Sequence, residues 1–369
     1  MKKIVILLLL LLPLEAAAGL PWVKWKVSPD VWYYFDNREF GVSDDAVLPS
    51  ETLHAIVFAP TLEMRLDQGG FSSHSLVLGS DMVHNMGSGN GTDLKTPREY
   101  LIYYDYRTLA GSDKIELVAG VFPRKKMRSQ WSEAFFSDRH LFEDRNLEGL
   151  LVSWTAGRFR TEFACDWAGE KGYDRKERFQ LLSAGDMTLT RNIFAGWNVA
   201  YHHYAGSQLA PGVVDNGLGE VWLEANASSR GTDYLLRAGY LQGYHRDRPA
   251  SRKALVPGGV EVTALARRSG VEIRNTVYFG GNQLPFYDGF DTAGNPLGSN
   301  LYFGSPMYKG FCDRLELGWE PDLGSNMSLR IAARAHFDAS GFVGWQQVVS
   351  LRYCFDAVRI GRSISFNLN

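Results

Sequence analysis

The chain has 369 residues, 45% of them hydrophobic and 13% aromatic, with 39 basic and 41 acidic side chains for a net charge of −2. Such apolar and aromatic content excludes a disordered chain, and three cysteines are too few and odd in number for a disulfide scaffold. The near balance of charge excludes a sequence-wide attraction to nucleic acid.

The first predicted element is an export signal. Met1-Lys2-Lys3 is positive, Ile4 to Leu12 is an unbroken apolar run, and Ala16 and Ala18 occupy the small-residue positions of a cleavage site. Residues 1–18 are therefore expected to be a signal peptide, with a mature chain from about Gly19. The apolar run is short of the roughly 20 residues a membrane helix needs. No second long apolar stretch follows. A mature protein that resides in a membrane must then cross it as a closed barrel, the other fold that satisfies every backbone group in lipid.

Period-two alternation runs through the rest of the chain. It predicts strands near 31–40, 52–67, 72–85, 97–108, 114–123, 148–156, 158–168, 176–187, 192–204, 217–228, 232–244, 257–268, 270–281, 310–320, 326–338 and 342–355. In the second of these, Ile56, Phe58, Leu62, Met64 and Leu66 share one face, whereas Thr61, Glu63, Arg65 and Asp67 share the other. In the fourth, Tyr100, Ile102, Tyr104 and Tyr106 oppose Glu99, Asp105 and Arg107. Charges almost never change parity within a strand. Many of these strands have ten or more residues, beyond the 5–6 typical of soluble sheets and near the 9–11 that a membrane strand needs. The predicted fold is all-β, a transmembrane antiparallel up-and-down barrel over residues 19–355. It has about 16 strands, with 14 or 18 inside the boundary error of about 2–4 residues. A secreted sandwich or propeller is the soluble alternative. Residues 356–369 form a tail, either periplasmic or extending the last strand.

Every second connection is a tight turn rich in Gly, Asn, Asp and Ser, such as Ser228-Ser229-Arg230-Gly231 and Arg268-Ser269-Gly270. The others are longer, notably 86–96, 124–147, 205–216, 245–256 and 282–309. Short periplasmic turns and long outer loops are the expected arrangement, with both chain ends in the periplasm. The connection near Asp338 to Gly341 departs from it, being short where a long loop is due.

By this pattern the chain resembles a Gram-negative outer-membrane porin-type barrel over about residues 30–355. Phe35-Asp36-Asn37-Arg38-Glu39-Phe40 and Phe122-Pro123-Arg124-Lys125-Lys126, with Ala134-Phe135-Phe136-Ser137-Asp138, resemble stretches of uncharacterised Bacteroidetes-type barrels. The closing strand, with Val348, Ser350, Tyr353 and Phe355, resembles the signal read by the barrel-assembly machinery, although here Asp356 to Asn369 follows the final aromatic. The resemblance implies a third long loop folded into the lumen as a constriction. Arg124, Lys125, Lys126, Arg128, Glu133 and Asp138 are its candidate residues, and a merely solvated mixed-charge loop is the other reading.

Candidate pore-lining residues share the charged parity: Arg65, Arg107, Arg160, Glu162, Asp166, Arg237, Glu261, Arg267, Glu272, Arg274, Arg330, Arg334 and Arg352. They either tune solute charge or pair and stiffen the wall. Arg330, Arg334 and Arg352 read as the only run on neighbouring strands without an acid of the same parity, which leaves a modest anion preference open. Aromatics Phe286, Tyr287, Phe290, Tyr302, Phe303 and Tyr308 in loop 282–309 either stack on sugars or form a small core of the loop itself.

Metal and catalytic motifs are not legible. His202 and His203 are adjacent in a strand and point to opposite faces, and no C-x-x-C or H-x-x-x-H spacing occurs. Ser72, Ser73 and Asp81 lie near His74 and His84 without a recognisable oxyanion element. No metal, cofactor, reaction or nucleic-acid partner is expected. The expected function is passive diffusion of small hydrophilic solutes through an outer-membrane channel. Polysaccharide or capsule export, a surface scaffold with a plugged lumen, and a barrel hydrolase are the alternatives. Expected partners are outer-membrane lipid, the barrel-assembly machinery and the solutes, with the oligomeric state open.

Overall fold

The computed structural model describes residues 23–41, 48–68, 70–87, 98–354 and 358–360. The expected signal peptide lies outside these residues, as do Phe355 and most of the expected tail.

Strict alternation produces strands: β1 (Val23–Phe40), β2 (Glu51–Gln68), β3 (Ser72–Asn85), β4 (Glu99–Ala110), β5 (Asp113–Pro123), β6 (Asn146–Ala156), β7 (Phe159–Gly169) and β8 (Arg178–Thr190). The second half supplies β9 (Ile193–Ala205), β10 (Val213–Ser229), β11 (Thr232–Asp247), β12 (Gly258–Arg268), β13 (Val271–Gly280), β14 (Phe311–Trp319), β15 (Met327–Asp338) and β16 (Gly341–Cys354). Each pairs antiparallel with its sequence neighbours, and β1 pairs with both β2 and β16, so the sheet closes on itself. Closure removes the unpaired edges that lipid cannot satisfy. A short segment, β17 (Val358–Ile360), continues the pairing along β1 below β16, Val27 opposite Val358.

All sixteen predicted strands are present. β1 is longer than the alternation indicated, starting at Val23 rather than near residue 31. Pro29 breaks its reading, and it lies opposite Pro60 of β2, so the ladder lacks two donors at one level. Two turns have the geometry that right-handed strand twist favours. Arg230–Gly231 and Ser269–Gly270 each take positive φ at both central positions, 51° and 75° in the first, 50° and 80° in the second. The β15–β16 hairpin is short, as read, with Asp338 capping its turn through the Ser340 amide at 2.7 Å.

Apolar side chains face outward. Ile102, Phe163, Val221, Leu223, Leu236, Ile273 and Leu317 are all exposed. Trp154, Tyr234 and Trp319 ring the end bearing the short turns, and Trp167, Tyr244, Phe279 and Trp345 ring the end bearing the loops. An apolar band between two aromatic girdles is the surface a bilayer requires. Inside, the parity is polar: Asp36, Asp105, Glu162, Asn198, His202, Glu220, Glu272, Glu316 and Gln346 are buried. The inner wall is therefore lined by the charged face of every strand, around a core made largely by two loops.

Candidate constriction site

The β5–β6 loop, residues 124–145, builds the site. Pro123 ends β5, and the Arg124–Lys126 turn directs the chain inward. Further along, the Ser137 side chain accepts the His140 amide at 3.2 Å and starts the single-turn helix α1 (Asp138–Glu143). The loop is tied to strands all around the barrel. Lys125 reaches Asp30 of β1 at 2.8 Å, and Arg128 reaches Glu116 of β5 at 2.8 Å. Lys126 pairs with Asp105 of β4. Arg124 reaches Asp166 of β7 at 3.3 Å, and the amides of Arg128 and Ser129 donate to Glu162 at 3.0 and 2.9 Å. The Gln130 carbonyl accepts from Asn198 of β9 at 3.0 Å. Glu133 pairs with Arg314 of β14, and Asp138 with Arg334 of β15. Arg139 returns to Glu51 of β2 at 2.8 Å, and Arg145 to Asp81 of β3 at 2.6 Å. The loop thus crosses the lumen rather than lying in solvent outside it.

A second loop covers it. The β13–β14 connection, residues 281–310, carries the short helix α2 (Gly298–Leu301) and packs down onto the first loop. The Ser137 amide donates to the Phe303 carbonyl at 2.7 Å, and the Ser305 amide to the Glu133 carbonyl at 2.7 Å. Gly304 passes so close that a β-carbon would lie 2.0 Å from the Ala134 carbonyl oxygen. Phe135, Phe136, Leu284, Leu297, Leu301, Tyr302, Met307 and Tyr308 join the barrel's inner apolar residues in one buried cluster. Of the two readings of this loop's aromatics, the interior core is the one the geometry realises for Tyr302 and Tyr308. Phe290 stays 65% exposed.

Cavities lie on either side of this partition. Two of about 800 and 820 Å³ extend toward the turn end and share Trp32, Trp131, Phe136 and Leu141. A third of about 390 Å³ lies toward the loop end, and it shares Glu133, Asp138 and Arg334 with the 820 Å³ cavity. The boundary between these two is therefore formed by Glu133, Asp138 and Arg334, the acids of the loop edge paired with Arg314 and Arg334 of the wall. Burial pushes the Asp138 carboxyl upward, but the Arg334 guanidinium outweighs it and holds it below the usual range. Asp138 is thus charged at neutral pH.

All the residues picked out by parity sit on the inner wall, in two groups. Toward β2–β7, Arg65 bonds Asp67 at 2.7 Å, and Arg107 spans Asp105 and Glu116 at 2.9 and 3.0 Å. Arg160 donates to Asp186 at 2.9 Å, and Asp166 accepts the Glu148 amide at 2.9 Å. Toward β10–β16, Arg237 bonds Glu220 at 3.0 Å and stacks on Trp222. Glu261 accepts from Tyr308. Glu272 gathers Arg267 and Arg274, at 2.9 and 3.0 Å, and Arg330 at 3.5 Å.

One sequence reading needs correction. Arg330, Arg334 and Arg352 are not a free cationic run. Arg330 and Arg334 both pair with Glu316 of the neighbouring strand, and Arg352 bonds Asp30 of β1 at 2.9 Å. The acids come from adjacent strands, where cross-strand neighbours meet. Arg314, Glu316, Glu116 and Asp81 were missed as site residues, although the same parity rule applied to β14, β5 and β3 exposes them.

No family model and no curated protein matches the sequence. Solved structures do match. OccK5 (OpdH) of Pseudomonas aeruginosa superposes with a TM-score of 0.54 at 10% identity, over 90% of this chain and 98% of that one. OpdL of the same organism gives 0.53 at 9%, over 90% and 99%. A loop-deletion mutant of OmpT, an outer membrane protein of Vibrio cholerae, gives 0.51 at 8%, over 90% and 100%.

The fold is that of a porin-type outer-membrane β-barrel. Its lipid-facing wall and its partitioned, charged interior accord with that architecture.

Proposed function

We propose that this barrel is a channel for passive diffusion of small hydrophilic solutes across the outer membrane of a Gram-negative bacterium. On this reading residues 1–18 direct export, the barrel-assembly machinery inserts the chain into outer-membrane lipid, and the short turns face the periplasm. The observation that carries it is the pairing of an apolar outer wall with cavities of about 820 and 390 Å³ meeting at two opposed ion pairs. Selection then works by bore and transverse field rather than by chemistry, with no cofactor required. The thirteen parity-selected wall residues and Arg124, Lys125, Lys126, Arg128, Glu133 and Asp138 set that field.

The field is uneven. The 800 Å³ cavity is lined by more basic than acidic groups, with Arg65, Arg107, Lys125 and Lys126 near Asp30, Glu63 and Asp105. In the 820 Å³ cavity six arginines face six acids. Anions gain on the first side and neither sign on the second. A scaffold with a plugged lumen is the second reading, favoured by the apolar cluster joining the two loops.

Reconstitution into a planar bilayer tests both. Discrete conductance steps from protein whose folding is intact support the channel, whereas a folded, silent barrel supports the scaffold. Hydrolysis of lipid or peptide by purified protein would move the reading to an enzyme.

A further inference from the structure

The segment Tyr302–Ser305 is seated on histidines. Phe303 stacks on His140 of the inserted loop, with ring centres 4.3 Å apart, and meets the edge of His202 of β9 at 4.7 Å. Tyr302 lies 5.6 Å from His245 of β11. His202 is 2% exposed and His245 is fully buried; neither ring nitrogen of His245 makes a hydrogen bond, and the His202 ring has only the Asn300 backbone beside it. His140 Nε2 is likewise unbonded.

Their surroundings do not welcome charge. His202 is acted on by Arg178 of β8, with the Asn300 backbone of the covering loop alongside and His203 next in sequence. His140 faces Phe136 and Phe303, with Arg124 and His202 near and Asp144 at 3.7 Å. His245 faces Tyr302 and the Gln283 side chain, whose carbonyl oxygen is also unbonded. An imidazolium at His202 would be buried next to an arginine with only the Asn300 backbone to accept from it, a costly state. Water reaches these rings if Tyr302–Ser305 lifts.

We propose that Tyr302–Ser305 is an acid-released gate: it closes the loop end of the lumen while His202, His140 and His245 are neutral, and protonation of these rings unseats it. The inference rests on the channel reading. A released histidine titrates near its ordinary value of about 6.5. A ring that takes up a proton more readily once released than while seated therefore favours release as pH falls from 7.5 to 4.5, by at most about 100-fold. His202 is the main sensor, because Asp144 offers His140 a counter-charge even when seated. The base of the loop remains anchored, since Lys176 pairs with Asp291.

The test records the full-length protein in planar bilayers at pH 7.5 and 4.5, beside H202Q, H202L and a variant lacking residues 298–305. The gate predicts an open fraction that rises at least tenfold in acid for the parent chain. The response should shrink at least fivefold in both His202 variants, and the deletion should stay open at both values. Amide hydrogen exchange at Phe303 and Ser305, corrected for intrinsic pH dependence, should accelerate in acid for the parent and less for H202Q. Equal opening at both pH values, or an undiminished acid response in H202Q, overturns the gate and leaves the channel standing. Silence from the parent and the deletion alike overturns the channel reading and the gate with it.

Discussion

Arg145, where the inserted loop rejoins the wall, grips Asp81 of β3 with two bonds, Nη2 to Oδ1 at 2.6 Å and Nε to Oδ2 at 3.1 Å. Both side chains are largely withdrawn from water. The pair fixes one end of a loop whose other end is held by Arg124 on Asp166. Arg145→Ala leaves a buried carboxylate without its cation and should cost about 3–5 kcal/mol. Urea unfolding of the detergent-folded barrel measures it. Protease should also cut within residues 124–145 faster in this variant, at unchanged strand content.

The acids at the partition offer a second handle. Asp138→Asn with Glu133→Gln leaves Arg314 and Arg334 facing the passage with less opposing charge. A unit charge about 8 Å from a permeating ion in a wet lumen changes its free energy enough for roughly a two- to fivefold effect. Reversal potentials under a KCl gradient should shift toward chloride by that ratio. An unchanged potential would mean that ions do not pass between these groups.

The sequence made the walls legible more fully than what fills them. Sixteen strands followed from parity and turn residues, because a strand facing lipid on one side and water on the other must alternate. The first eight residues of β1 were lost to Pro29, whose partner Pro60 lies on another strand. The loop contacts were less legible for a related reason. Asp81 with Arg145 and Glu51 with Arg139 are far apart in sequence, and no periodicity announces them. The seating of the three histidines was not legible either: His202 drew notice only beside His203 as a failed metal pair, and nothing in the sequence joins it to His140 of the inserted loop or His245 of β11.

A pH profile follows from the clamp at the base of the covering loop. Burial raises the Asp291 carboxyl, but the Lys176 ammonium and the Asn295 and Ala293 amides bring it down to about 2. A carboxyl depressed in the folded state contributes stability above its unfolded value of about 3.9, lost as pH falls through about 2. The clamp therefore survives at pH 4.5. Asp291→Asn should weaken loop anchoring at pH 7 and pH 4.5 alike, and the difference should shrink as pH falls through about 2, read by proteolysis of residues 281–310.

The two faces of β12 should respond oppositely to charge. Ala264 points outward near the middle of the strand, and Thr263 lines the 820 Å³ cavity. Ala264→Arg should cost about 2–4 kcal/mol in a bilayer. Thr263→Arg loses the 3.1 Å bond to Thr276, about 1 kcal/mol, and keeps its charge in water. Equilibrium unfolding from phospholipid vesicles compares them.

The most direct measurement places spin labels one at a time at positions 260 to 267 of the barrel in lipid vesicles and reads collisions with oxygen and with a water-soluble nickel complex. Labels replacing Val260, Val262, Ala264 and Ala266 should collide mainly with oxygen, and those replacing Thr263, Leu265 and Arg267 mainly with nickel, alternating residue by residue. Equal nickel access on both faces, or protection of both from either reagent, would contradict a hydrocarbon-facing wall around a hydrated interior.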